Sequence, residues 1–111
     1  MANNFSRSTA RNIGTTLTPI GSVVPAATQV TVIGLSIANT TNGVVKAAVV
    51  HSDGSNTTYI VKNMDIVPGQ AQVLVGGDQK LVLLPGDTIS VVSDTASSLD
   101  VIMSTLVITT V

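Results

Sequence analysis

The stretch Gln29-Val30-Thr31-Val32-Ile33-Gly34-Leu35-Ser36-Ile37-Ala38-Asn39 decides the fold class. Its residues are mostly branched or small, and Ile33, Leu35 and Ile37 recur with a period of two, opposite Val32, Gly34 and Ser36. That is the pattern of a half-buried β-strand. Thr40-Thr41-Asn42-Gly43 follows it with residues that reverse the chain.

Outward from this segment, short branched runs alternate with turns. The runs are 15–24 (broken by Pro19 and Gly21), 29–39, 44–52, 57–62, 70–75, 80–84, 88–93 and 99–110. Between them stand Asn42-Gly43, Asp53-Gly54, Pro68-Gly69, Gly76-Gly77-Asp78 and Pro85-Gly86-Asp87. Asn42-Gly43 and Asp53-Gly54 are the strongest hairpin signals, because glycine accepts the positive φ of a tight reversal. Val, Ile and Thr supply 18, 9 and 15 of the 111 residues, which disfavours a helical bundle. About eight short strands at this spacing predict an all-β protein, an antiparallel β-sandwich of jelly-roll or Ig-like type. A chain of 111 residues is one domain long.

The two ends depart from the simple pattern. Residues 1–14 are polar and carry Arg7 and Arg11 without an acid, for a local charge of +2, against -3 for the three Lys and six Asp that follow. Such a leader has too little apolar surface to fold alone and reads as an extended N-terminal arm, leaving 15–111 as the sandwich domain. Phe5, Arg7 and Arg11 are its candidate interaction residues. In the last run, Ile102, Leu106 and Ile108 share one face, with Val101, Met103 and Val107 on the other. A strand apolar on both faces in a two-layer fold implies cover from an arm or a second subunit.

Only 10% of residues are charged, against roughly 25% in an ordinary soluble domain, while 44% are hydrophobic. The formal net charge is -1, which attracts neither nucleic acid nor anionic lipid. Apolar runs reach four residues, as at 81–84, so no membrane span is expected; the polar, arginine-bearing start is unlike a secretory signal. With no Cys and no Glu, disulfides, thiolate metal sites and paired glutamates drop out. His51 and Asp53 flank a strand end without a third ligand at signature spacing, so His51 is expected as an exposed turn-flanking residue and no metal or other cofactor is expected. Gly76-Gly77-Asp78-Gln79-Lys80 lacks the phosphate-loop pattern and precedes a strand-like run. Asp87 is expected to accept hydrogen bonds from its own turn. No cluster of titratable groups suggests an enzyme. Tyr59, with Asp53 and Asn56, is a candidate glycan contact, since sugars commonly stack on an aromatic face. Asn4, Asn39 and Asn56 begin N-x-S/T triplets, which Thr-rich sequences produce by chance.

Taken together, Ser6-Arg7, Arg11-Asn12-Ile13-Gly14-Thr15, residues 32–40, Lys62-Asn63, Pro68-Gly69, residues 77–83 and Pro85-Gly86-Asp87 resemble small β-sandwich virion proteins of tailed bacteriophages. The resemblance runs from residue 6 to about 108. It implies a non-enzymatic part of a virus particle, assembled in the host cytoplasm: a head decoration or cement protein, or else a neck, tail or fibre component. The partners implied are the major capsid protein or other virion proteins and further copies of the chain, a trimer being favoured.

Overall fold

A computed structural model describes residues 2–76 and 80–109. Nine strands occupy them: β1 (Ala2–Ile13), β2 (Thr18–Ile20), β3 (Thr28–Asn39), β4 (Val45–Ser52), β5 (Thr57–Ile66), β6 (Ala71–Val75), β7 (Leu81–Leu83), β8 (Thr88–Ser93) and β9 (Leu99–Thr109). Eight of them fall on the eight runs predicted from sequence. The ninth, β1, lies where the sequence predicts an extended N-terminal arm. Residues 2–13 are a strand paired antiparallel with β9, from Ala2 opposite Thr109 to Ile13 opposite Leu99. The backbone explains the difference, because a polar segment with little to bury can still be held by ladder hydrogen bonds once β9 offers its edge.

One sheet runs β1-β9-β3-β6, with β7 also on β3, and the other runs β2-β8-β4-β5. Taking β6 and β7 as one interrupted strand, the chain pairs first with last, second with second-last, and so on inward to the β4–β5 hairpin. All these pairs are antiparallel. A long hairpin wound over itself in this way is a jelly roll, which decides between the two sandwich types.

The core is aliphatic. Val32, Leu35 and Ile37 of β3, Val101 and Met103 of β9 and Ile13 of β1 meet Val45, Ala47 and Val49 of β4 and Ile89 and Val91 of β8. In β3 the register shifts between Val32 and Gly34, so one extra residue changes the phase of the alternation. Val32 therefore joins Leu35 and Ile37 inside, and Ile33, expected there, is half-buried at the bulge. In β9 the two faces separate as read from the sequence: Val101 and Met103 point in, Ile102 points out.

The turns also divide. Asp53-Gly54 closes the β4–β5 hairpin, with Gly54 at φ 94° and the Asp53 carboxylate accepting from the amides of Ser55 (2.9 Å) and Asn56 (2.7 Å). Asn42-Gly43 is not a hairpin, since β3 and β4 belong to different sheets, and Gly43 does not take a positive φ. Asn39 builds that corner instead. Buried to 2% exposure, it donates from Nδ2 to the carbonyls of Gly43 and Ile66, both at 2.8 Å. Its Oδ1 accepts from the amide and hydroxyl of Thr41, at 2.9 and 2.8 Å. With both amide hydrogens engaged, Asn39 has no means of accepting a glycan.

Candidate interaction surface

The outward side of the β1-β9-β3 sheet is built by the register. Phe5 lies opposite Leu106, which lies opposite Thr31, which lies opposite Val82, so one row crosses four strands. A second row runs Thr9, Ile102, Ser36, Val73. Between them runs Arg7, Ser104, Gly34, a trough without bulk beyond the arginine. Phe5 is 79% exposed, and Val73, Val82 and Ile102 are also open to solvent. At one end, Thr9, Arg11, Ser36, Ala38, Asp100 and Ile102 border a shallow depression of about 270 Å³. Among the described residues of β1, β9 and β3, the charges on this face are Arg7, Arg11 and Asp100. Neither arginine has an ion pair among the described residues, and Asp100 accepts from the Asn12 amide at 3.1 Å.

The placement of aromatic residues is the informative feature. The chain has one Phe and one Tyr, and neither is in the core. Phe buries more apolar area than any residue used inside, yet it stands on the outer face of an edge strand. This face combines exposed apolar side chains with small polar residues and two arginines. The structure thus brings Phe5, Arg7 and Arg11 together on one face, along with Ile102, Leu106, Val73 and Val82. The sequence reading found the β9 members by their alternation. Val73 and Val82 come from separate short strands, and only the pairing of both with β3 reveals them.

The candidate glycan residues are distributed along one hairpin. The Asp53 carboxylate serves the loop amides, and these hydrogen bonds, from Asn56 first and Ser55 next, hold its pKa below the ordinary value. The Asn56 carbonyl accepts from the Asp53 amide at 3.2 Å. Tyr59 lies further along β5, 53% exposed, with Lys62 Nζ 5.2 Å from the ring centre. A cleft of about 370 Å³ opens beside it, between β5 and β7, lined by His51, Thr58, Ile60 and Leu81 among others.

His51 does not stand alone at the end of β4. Its Nε2 lies 2.9 Å from Asp87 Oδ2. That oxygen also accepts from the Leu84 amide at 3.0 Å, as expected for a turn aspartate. The hydrogen bond from His51, then the one from Leu84, lowers the Asp87 pKa. The partners are 36 residues apart, so no local spacing announces the pair. Pro85 and Gly86 (φ 93°) form the turn, and the Gly86 amide donates to the Val24 carbonyl at 2.8 Å. His51 and Asp87 therefore lock a corner of the sandwich. Among the described residues, no group of three or more His, Asp, Glu or Cys is arranged to hold a metal ion. The segment weighed as a phosphate loop has residues 77–79 outside the described residues and leads into strand β7.

No protein-family model and no curated protein matches the sequence. A solved chain from the "Structure of infectious bursal disease virus Gt strain" superposes on 94% of this chain with a TM-score of 0.41 and 15% identity. This chain spans 34% of that viral chain, and at that distance the likeness says nothing about activity or partners.

Proposed function

We propose that this chain is a non-enzymatic structural component of a virus particle, a head decoration or cement protein that docks through the outer face of its β1-β9-β3 sheet. The exposed Phe5 carries the reading: a protein that builds its core from aliphatic residues holds its one phenylalanine outside, beside Leu106 and two unpaired arginines. A jelly roll is a frequent architecture of capsid proteins, which agrees with the resemblance in the sequence, although lectins and cupins share it. Such a subunit binds the assembled lattice and not its free parts, so it stabilises the shell by linkage. Many weak copies reinforce one another. Phe5 acts as the apolar anchor, and Arg7 and Arg11 meet acidic or carbonyl groups at the rim.

Quantitative mass spectrometry of purified particles tests the assignment. Hundreds of copies per particle support a head decoration protein, a dozen or fewer move it to the neck, tail or fibre, and its absence overturns the virion reading. Tyr59, exposed beside the β5–β7 cleft with Lys62 at its ring, favours a second reading as a glycan-binding module. A glycan array without binding, with host range unchanged by Tyr59→Ala, removes that alternative.

A further inference from the structure

The four sheet edges are not equivalent. β2 is three residues long and contains Pro19, which lacks an amide hydrogen. β5 has two register shifts against β4 and a left-handed residue, Asn63 at φ 55°. β6 has five residues and a register shift of its own. These are the devices that blunt an edge against further pairing. β1 differs over most of its length: residues 2–10 run against β9 without a shift, and the irregularity, with Asn12 at φ 55°, comes only between Ala10 and Ile13. Among the described residues, 2–11 make no backbone–backbone hydrogen bond outside that ladder, so alternate amides and carbonyls along the far edge are available to a further strand.

We infer that β1 is a self-pairing edge, joining a second copy of this chain antiparallel about a twofold axis at Ser8 to make one continuous sheet. A twofold axis normal to the sheet keeps outward residues opposite outward residues, so the paired numbers sum to an even value. Charge then selects among the registers. Centred on residue 7, Arg7 faces Arg7 of the second copy; centred on residue 9, it faces Arg11 of the second copy. Both oppose like charges. Centred on Ser8, Arg7 faces Thr9 of the second copy and Phe5 faces Arg11 of the second copy. That places each guanidinium beside an aromatic ring or a small hydroxyl residue, and the first is a cation–π pair. A centre on residue 6 also separates the arginines and pairs residues 2–10, but it leaves Arg11 beyond the paired region; the centre at Ser8 pairs 5–11, ahead of the left-handed Asn12, and engages both arginines. The chosen register makes the two outer faces one continuous surface, with both Phe5 rings and four arginines gathered around its axis. The contact is twofold, in place of the threefold assembly favoured from sequence, and it does not depend on the virion reading.

Sedimentation equilibrium of the full chain, without any virus particle, tests it. The wild type is expected to dimerise. Thr9→Arg opposes Arg7 of the other copy at two equivalent positions and should weaken the dimer about 2- to 30-fold, while Thr9→Asp should tighten it over a similar range. In parallel, Arg7→Cys mixed with Thr9→Cys should form a disulfide-linked pair under oxidation, and each alone should do so poorly; the chain has no other cysteine. A monomeric or trimeric wild type, or Thr9→Arg and Thr9→Asp weakening association alike, overturns the inference. So does preferential cross-linking of Arg7→Cys with itself.

Discussion

Replacing Asn39 with alanine removes four side-chain hydrogen bonds from the corner where β3 crosses to the second sheet. The bonds to Gly43 and Thr41 are near solvent, so water replaces much of what is lost. The carbonyl of Ile66 differs, because Ile66 is fully buried and the bond from Asn39 Nδ2 to its carbonyl is itself buried. Leaving one such acceptor unpaired costs about 1–3 kcal/mol, and a net loss of about 1 kcal/mol for the outer bonds brings the expected change near 3 kcal/mol. A domain of this size then melts about 12 °C lower. Urea unfolding followed by far-ultraviolet circular dichroism at pH 7 measures it. Asn39→Asp sharpens the test, since it retains the acceptor for Thr41 but turns an oxygen toward two carbonyls. That variant should lose at least as much at neutral pH and recover part of it in acid, where a protonated carboxyl can donate again. A loss below about 1 kcal/mol for Asn39→Ala would refute the assignment of the corner to this side chain.

Other expectations follow from the same structure. The Asp87 pKa is lowered by His51 and the Leu84 amide, so its contribution is complete above the ordinary carboxylate pKa of 3.8 and fades as pH falls through the lowered value; a urea midpoint measured against pH should drop there, less steeply in Asp87→Asn. Phe5→Ser and Ile102→Ser should each change unfolding free energy by about 0.5 kcal/mol or less, yet reduce occupancy on particles in a binding assay; unchanged occupancy would remove this face from docking. Deleting residues 1–14 removes the partner of β9 and the buried Ile13, so the truncated chain should aggregate or unfold more readily by light scattering and circular dichroism. Gly34→Ala meets only an ordinary contact, Ser104 Cβ at 3.8 Å, and should leave stability within about 1 kcal/mol of the wild type by urea unfolding.

Strand positions were legible in the sequence because branched residues and turn residues alternate cleanly along it. Asp53-Gly54 and Pro85-Gly86-Asp87 behave as local chemistry dictates. The failures were non-local. Nothing in the polar composition of residues 2–13 shows that β9 supplies a ladder for them, and nothing near Asn42-Gly43 shows that the chain changes sheets there. The one-residue shift in β3 that turns Val32 inward depends on β9 in the same way. Of the candidate surface, Phe5, Arg7 and Arg11 were visible as exceptions to their surroundings, and Ile102 and Leu106 by periodicity. That these residues share one face follows from pairing register, which no single strand encodes.

With no tryptophan, and with Phe5 and Tyr59 both on the exterior, the protein carries its ultraviolet chromophores outside. Tyrosine emission and near-ultraviolet dichroism therefore sample the exterior and not the aliphatic interior directly. They respond instead to what happens around β5, so an occupant of the cleft beside Tyr59 would be seen optically, whereas attachment through the opposite sheet would leave the tyrosine signal unmoved.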